Sequence, residues 1–384
     1  MDINVNFSLK NGITLLFIVM SFFMFGQNKE DKQIKAVFDQ LVMAYGSAKS
    51  APELVILKKK KTPIPPANYN PEGKPKIEVD IYLYTICRTY GKDSLNALSI
   101  VLSHELAHYY NDHKFCSDYA YANLHSKNLN LTKTIRDASL NSRMEKETEA
   151  DIKGFFYAAA AGYSPFGLQS QLIDKIYKEY HLSDVQKGYP SKQERKAIAK
   201  SADEKAKELY GYFQAGLKAM EEQNYPEAIT AFETANSFIP YRENYNNIGV
   251  ARARKALLLK VKTSEEYKYP DRFLYPFEVE NKSRLARETT RTDNDRSQQM
   301  TELLLIAQKD FQEAIRLDPN FTKGYINLAC VYELLGKYNL ALGTIEELTK
   351  EEQNSNEVQR ILAITYYHNN QEAKATLIWN ELKM

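Results

Sequence analysis

The sequence predicts a mainly α-helical protein in which an α+β domain with a small β-sheet is followed by an α-solenoid of helix pairs. In the first half, two short segments of β-forming residues precede a strongly apolar helical pattern at 95–102. In the second half, small and aromatic residues return at fixed offsets, which is typical of helical repeats. We therefore predict two domains, residues 27–203 and residues 204–384.

The first domain begins with a helix and two strands. Residues 29–50 carry apolar side chains at helical spacing, whereas Glu53–Leu57 and residues 77–84 are predicted to be strands. Between the strands, residues 58–76 are rich in Lys and Pro, which favours a solvated loop.

The most informative motif in the chain is His104-Glu105-Leu106-Ala107-His108. Side chains four positions apart on a helix lie about 40° from each other around its axis, so both imidazoles can reach one metal ion. Imidazole is a common zinc ligand, and the Glu beside it can act as general base on a water molecule. The motif therefore predicts zinc-dependent hydrolysis. The plainer alternative is a core helix with ordinary histidines.

A zinc hydrolase needs a third protein ligand, with the fourth position open to water. No Glu occurs between the first motif and Glu145, which excludes a ligand about twenty residues downstream. Asn111 and Lys114 stand where the metzincin pattern has its Gly and third His. His113 lies on the opposite side of the predicted helix from His104 and is interpreted as a surface residue or as a residue that supports the metal ligands without binding the ion.

Four acidic residues supply the remaining candidates: Glu145, Glu147, Glu149 and Asp151. They lie on a helix predicted over residues 142–161. Glu147 and Asp151 share one face of that helix, and Glu145 and Glu149 share another. Helical spacing leaves the choice of ligand open, and a solvated acidic face is the plain alternative.

Together, the two motifs resemble a family of zinc metallopeptidases that includes HtpX, the CAAX prenyl proteases and the periplasmic BepA-like proteins. That family has HExxH followed by a helix bearing Glu-x-Glu-Ala-Asp, often ending in Gly-Tyr/Phe-x-Pro, as at residues 162–165 here. The resemblance implies one Zn²⁺ per chain, held by three ligands: His104, His108 and Glu147. It implies Glu105 as general base and Asp151 as a supporting partner of a ligand. Glu149 would then point away, and Ala150 would allow close helix packing.

The resemblance covers roughly residues 75–200 and extends to a third motif. The family often has His-Pro-x-x-x-x-Arg near the mouth of the site, and here the segment runs from Tyr189-Pro190 to Arg195. The resemblance implies a site role for Arg195. Tyr189 replaces the His and is a candidate catalytic or gating residue, since a phenol can donate a hydrogen bond to an oxyanion; simple packing is the alternative. The resemblance also implies a strand beside the zinc helix whose edge holds an extended substrate.

Composition and the N-terminus indicate the compartment. The formal net charge of +2, with charges spread along the chain, argues against a nucleic-acid partner. Residues 1–26 contain a short apolar run and are predicted to be a secretory signal peptide, with an uncleaved anchor as the alternative. We therefore expect an exported protein in the periplasm of a Gram-negative bacterium, where it could also associate peripherally with a membrane. Export permits a Cys87–Cys116 disulfide, for which buried free thiols are the alternative.

The second half resembles the tetratricopeptide repeat, a helix pair of about 34 residues. The repeated small and aromatic positions are Gly216, Ala228, Phe232 and Ala235; Ala307, Phe311 and Ala314; Leu328, Ala329, Tyr332 and Ala341; and Leu362, Ala363, Tyr366 and Ala375. One copy is predicted to have helices at 243–259 and 301–317, with a charged insert at 260–298 that favours a long loop. Stacked repeats offer a surface to peptides, so a protein partner is expected there.

The sequence thus predicts an exported zinc-dependent endopeptidase acting on unfolded or misassembled proteins, with the repeat domain docking substrate or partner proteins. By resemblance to BepA-like proteins, its role would be quality control of envelope proteins. The alternative is a repeat scaffold or chaperone-like binding protein whose zinc site is vestigial or gated.

Overall fold

A computed structural model describes residues 29–58, 66–112, 129–185, 190–280 and 296–384, without the side chains of residues 129–143 and 296. The described chain is mostly helical with one three-stranded sheet, which confirms the predicted mainly α class. It divides into two compact units: unit 1 is Met1–Tyr45 with Ser50–Lys207, and unit 2 is Gly46–Lys49 with Glu208–Met384.

Unit 1 opens with helix α1, residues 29–45. The helix stops before the predicted residue 50 because Gly46 takes a φ of +39°, a conformation that glycine adopts more easily than other residues. Three strands follow: β1 (Glu53–Leu57), β2 (Ala67–Asn70) and β3 (Lys76–Asp80). Their order is β1-β3-β2, with β1 parallel and β2 antiparallel to β3. Strand β2 therefore lies at one edge of the sheet.

The predicted strand over residues 77–84 is wrong beyond Asp80. There β3 ends and helix α2 (Ile81–Arg88) begins, because the buried Asp80 carboxylate caps the helix. Its Oδ1 accepts a hydrogen bond from the Tyr82 backbone N–H at 3.0 Å. Its Oδ2 accepts one from the Tyr180 hydroxyl, also at 3.0 Å. The apolar alternation at this point fits the first turn of a buried helix as well as it fits a strand.

The loop predicted over residues 58–76 is wrong where β2 forms; residues 59–65 lie outside the described part of the chain. Strand β2 pairs with β3 from Ala67 opposite Val79 to Asn70 opposite Lys76. Asn is uncommon in strands, and four residues are too few for a periodicity argument. Tertiary pairing with β3, rather than local propensity, produces this strand.

Unit 1 further contains α3 (Ser94–Tyr110), α4 (Leu129–Ala160), α5 (Gln169–Glu179) and the first part of α6 (Lys192–Glu221). A 3₁₀ turn, Gly91–Asp93, precedes α3. Helix α3 buries Leu98, Leu102 and Leu106 completely, at a spacing of four residues that defines one apolar face. Helices α3 and α4 pack against each other, and α6 crosses the boundary between the two units.

Unit 2 is built from successive packed helices. After α6 these are α7 (Tyr225–Phe238), α8 (Arg242–Leu257), α9 (Ser264–Lys268), the 3₁₀ turn Pro270–Phe273, α10 (Arg296–Leu317), α11 (Thr322–Leu334), α12 (Tyr338–Glu346), α13 (Lys350–Gln353), α14 (Asn356–His368) and α15 (Glu372–Glu381). Helix α7 packs on α8, α8 on α10, α10 on α11, α11 on α12, and α14 on α15.

Two glycines of unit 2 admit an aromatic ring from a later helix. A Cβ atom on Gly216 of α6 would lie 2.6 Å from the ring of Phe232 in α7. A Cβ atom on Gly249 of α8 would lie 2.8 Å from the ring of Phe311 in α10. Both rings are completely buried. The same small-to-aromatic contact therefore packs two different helix pairs.

The predicted loop over residues 260–298 is wrong in its first part. Helix α9 begins at a capping box in which Thr263 and Glu266 satisfy each other's backbone N–H groups. Residues 274–280 then follow a non-helical course beside α8 and α11. Residues 281–295 lie outside the described residues.

The described cysteines are buried free thiols, Cys87 and Cys330. Burial raises the pKa of the Cys87 thiol to about 12. Cys116, the predicted partner of Cys87, lies outside the described residues, as does the predicted signal peptide. Across the parts of the chain that are described, no helix has the length and apolar character to cross a membrane.

We expect Gly216→Ala to destabilise unit 2 by about 1–3 kcal/mol, because the new methyl group overlaps the buried Phe232 ring. Gly211→Ala is the matched control on the same helix: a Cβ atom there meets nothing within 4 Å. Alanine has the higher helix propensity, so the control should gain about 1 kcal/mol. Urea denaturation followed by circular dichroism measures both, and equal effects would contradict the packing argument.

We also expect a pH dependence from Glu243, which is buried beside Arg242. Burial raises the pKa of Glu243 from 4.5 to about 7, against the opposing effect of Arg242. The folded state therefore holds this proton more tightly than the unfolded state does. The resulting stabilisation is complete below pH 4.5 and is lost as the pH rises through 7, by about 1–3 kcal/mol.

Glu243→Gln should flatten the fall in unfolding free energy between pH 5 and pH 8, whatever its effect at a single pH. The exposed Glu381→Gln serves as control and should leave the slope unchanged. Chemical denaturation across that pH range is the measurement, and parallel slopes for Glu243→Gln and wild type would refute the assignment.

Candidate metal centre

Three side chains from helices α3 and α4 converge on one point. His104 Nε2 and His108 Nε2 lie 3.0 Å apart on adjacent turns of α3. Glu147 of α4 places its Oε2 3.5 Å from His104 Nε2 and its Oε1 3.5 Å from His108 Nε2. The three potential ligand atoms all lie within 4.8 Å of one another. The structure therefore brings together the two histidines of the first motif and the first acidic residue of the second.

Close packing between α3 and α4 makes this convergence possible. Ala150 is completely buried, and a Cβ atom on Gly154 would lie only 3.1 Å from the His104 backbone nitrogen and 3.2 Å from its Cα. The facing atoms are backbone, which cannot rotate aside as a side chain can. The small residues at 150 and 154 thus set how near Glu147 comes to the histidines.

A chain of polar contacts orients the ring of His104. Its Nδ1 lies 2.8 Å from Oδ1 of Asp151, one turn beyond Glu147 on α4. Arg195 of α6 donates from both terminal nitrogens to the Asp151 carboxylate, and its Nε lies 3.3 Å from Glu147. The carboxylate on Nδ1 favours a proton there, which leaves the Nε2 lone pair directed at the convergence point.

The charges of the site support each other despite their burial. Burial opposes ionisation of Glu147, yet hydrogen bonding to His108 and the positive charges nearby lower its pKa well below the usual range. Arg195 and His104 likewise lower the pKa of Asp151 against the effect of burial. Burial opposes protonation of the His104 imidazole, but Asp151 and Glu147 raise its pKa above the ordinary value. The two carboxylates of the site are thus held in their ionised form.

The other two acidic residues of the second motif do not face this point. Glu145 and Glu149 are both exposed, and the Glu149 carboxylate accepts a hydrogen bond from Lys153 Nζ at 2.6 Å. Lys153 also donates to Asn111 Oδ1. Glu149 therefore points away from the histidines, as the family pattern implies.

Glu105 lies between the two histidines on α3 and reaches toward the sheet. Its Oε2 accepts a hydrogen bond from the Tyr69 backbone N–H at 2.8 Å. Tyr69 lies opposite Ile77 in edge strand β2, with its N–H directed away from β3. Sequence reasoning missed this contact because it placed residue 69 in a loop. The nearest signal was the Pro-bounded run of residues 67–70.

The donor atoms suit a tetrahedral zinc ion. Zinc–ligand distances near 2.1 Å place neighbouring ligand atoms about 3.4 Å apart in a tetrahedral site. Here the two nitrogens lie 3.0 Å apart, and each lies 3.5 Å from a different oxygen of Glu147. With one ligand atom taken from each residue, the three atoms lie within 4.8 Å of one another. Two neutral imidazoles with one carboxylate is a usual ligand set for hydrolytic zinc, with a carboxylate behind one His. The residues present therefore fit the ion that the motif implies.

Two sequence-predicted positions lie outside the described residues: Tyr189, the candidate catalytic or gating residue, and His113, the candidate surface residue. Arg195, by contrast, is described and contacts both Asp151 and Glu147. Arg195 thus contacts the Glu147 carboxylate directly and reaches His104 through Asp151.

We expect Asp151→Asn to weaken zinc binding about 10- to 100-fold, because the neutral amide no longer fixes and polarises His104. The matched control is Glu149→Gln on the same helix, whose carboxylate pairs with Lys153 instead. Competition with a chromophoric chelator measures the affinity, and circular dichroism checks that Asp151→Asn remains folded. Equal affinities for the two variants would refute the supporting role.

No family model matches the chain, and no curated protein matches it either.

Proposed function

We propose that the protein is a zinc-dependent endopeptidase of the type that includes HtpX, the CAAX prenyl proteases and the BepA-like proteins. The observation that carries this proposal is the convergence of His104, His108 and Glu147, whose potential ligand atoms all lie within 4.8 Å of one another. The position of Glu105 on the same helix, between the two histidines, adds a general base to the ligand set.

A zinc ion held by these three side chains would supply Lewis-acid chemistry, lowering the pKa of a water molecule at its open position. Glu105 accepts the proton of the attacking water on a carboxylate oxygen and returns it to the leaving amine. Asp151 holds His104 in the tautomer that presents Nε2. Arg195 keeps the carboxylates of Glu147 and Asp151 ionised, as their lowered pKa values indicate.

The substrate is proposed to be an extended polypeptide, which is the conformation of an unfolded protein segment. The reason is the position of edge strand β2, whose Tyr69 N–H already reaches the Glu105 carboxylate. A peptide that pairs with the outer edge of β2 lies beside the general base. Backbone pairing selects for extended conformation rather than for particular side chains, which suits quality control of envelope proteins.

We further propose that unit 2 is a tetratricopeptide-like array that docks substrate or partner proteins. The equivalent contacts of Gly216 with Phe232 and of Gly249 with Phe311 support a repeated helix-pair unit. The notable alternative is a docking scaffold whose metal site is vestigial or gated, and the following experiment separates the two.

Glu105→Gln should bind one zinc per chain, as wild type does, but cleave unfolded casein about 10²–10⁴ times more slowly, because it removes the base and no ligand. The exposed Glu145→Gln is the control and should retain activity. Zinc is measured by elemental analysis and cleavage by gel electrophoresis. Stoichiometric zinc without Glu105-dependent cleavage would favour the scaffold, and a wild-type protein without zinc affinity would refute both the ligand set and the resemblance to the metallopeptidase family.

A further inference from the structure

Part of the insert in unit 2 lies against a row of buried asparagines. We call residues 274–280 the strap. Asn246 and Asn247 of α8 and Asn327 of α11 are all completely buried. Amide side chains are normally exposed on helices, so three of them buried in one place require polar partners.

The backbone of the strap supplies those partners. The carbonyl oxygen of Glu278 accepts hydrogen bonds from Nδ2 of both Asn246 and Asn327, each at 2.9 Å. The Glu278 N–H donates to Asn327 Oδ1 at 2.8 Å. Two residues on, the Glu280 N–H donates to Asn247 Oδ1 at 2.8 Å, and its carbonyl accepts from Asn247 Nδ2 at 3.3 Å. The asparagines thus bind the backbone of Glu278 and Glu280 and not that of the residue between them, as expected for an extended chain.

These contacts do not depend on the side chains of the strap. Asn246 also accepts a hydrogen bond from Asn327 at 2.8 Å, so the amides hold one another in position before any backbone is considered. Every polypeptide offers the same N–H and C=O groups. If the strap left, another extended backbone would restore the same hydrogen bonds, whereas empty buried amides would be costly.

The strap side chains indicate which sequence suits the groove. Lys323 of α11 lies 2.9 Å from the Glu280 carboxylate and 3.8 Å from that of Glu278. Phe277 is buried, and the Tyr275 hydroxyl donates to Glu333 Oε2 at 2.6 Å. The occupant is thus aromatic in its first half and acidic at alternate positions in its second half.

We propose that the asparagine-lined groove between α8 and α11 docks an extended aromatic–acidic segment of a partner protein, and that the strap is the internal occupant which such a segment displaces. This inference deepens the docking role proposed for unit 2 and is independent of the metal site. Displacement exchanges one set of backbone hydrogen bonds for an equivalent set, so the affinity of a partner depends on how often the strap is absent.

The test uses the full chain carrying Glu105→Gln, so that no cleavage interferes, and a fluorescent peptide with the sequence of residues 273–280. Phe277→Ala weakens the strap without altering the groove, and the peptide should bind this variant about tenfold more tightly than the parent. Adding Asn327→Leu should abolish the binding. Failure of the peptide to bind either protein would overturn the proposal while leaving the metal-site proposal untouched.

N-methylation of the peptide backbone distinguishes specific recognition by the asparagines from non-specific binding. N-methylation of the peptide at the position of Glu278 removes the N–H that Asn327 accepts, and should weaken binding about tenfold. In an extended chain, the N–H of Val279 points to the side opposite that of Glu278. N-methylation at the position of Val279 is therefore the matched control and should have a smaller effect. Equal losses at both positions would overturn the assignment of the groove.

Wild-type protein provides a test that needs no substitution. Residue-resolved hydrogen exchange should show the Glu278 and Glu280 amides opening more readily than the core amides of α11, since a displaceable strap opens locally. Exchange only through global unfolding would identify the strap as a permanent part of the core and overturn the proposal. Concentration-dependent dimers with exchanged straps would assign the groove to self-association instead of a partner.

Discussion

The close contact between helices α3 and α4 is the constraint on which the candidate site depends. Gly154 faces the backbone of His104 at a distance that leaves no room for a methyl group. One turn earlier on α4 lies Asp151, whose carboxylate meets His104 Nδ1, and one turn before that lies Glu147. Because these residues are spaced one turn apart along α4, one helix contact positions a candidate ligand, the carboxylate that contacts His104 and a packing surface.

The site was more predictable than the fold around it. Helical phase and the family pattern were sufficient to indicate His104, His108 and Glu147, because a local helix determines the relative directions of residues three and four apart. The partner of Glu105 was not predictable. It comes from β2, a strand of four residues that exists through pairing with β3, and pairing between segments is invisible to local pattern. The end of β3 at Asp80 was not predicted, because the segments on both sides of it are buried. Their apolar pattern therefore fits a helix as well as a strand.

In the second half of the chain, the helix packing was more predictable than the candidate binding groove. The repeated small and aromatic positions include Gly216 and Phe232, which pack against each other in the structure, because close helix packing constrains residue size strongly. The strap was missed. Its acidic residues resemble a solvated loop, and Asn246 and Asn247 resemble a polar helix face. Both interpretations are wrong for the same reason. The strap buries the asparagines and the asparagines bind the strap, and the local sequence of either segment does not show this pairing.

The contact of Gly249 with Phe311 also bears on how this chain tolerates its insert. Gly216 and Phe232 close a short connection, whereas the equivalent pair at 249 and 311 closes one that is nearly four times longer. Loop-closure entropy grows only with the logarithm of length, so the longer connection costs about 1 kcal/mol more. Hydrogen bonds that the strap donates to Asn247 and Asn327 divide the long connection into shorter ones and offset that cost. Extra chain between two packed helices is therefore thermodynamically inexpensive, and it can acquire contacts of its own without disturbing the helix pair that carries it.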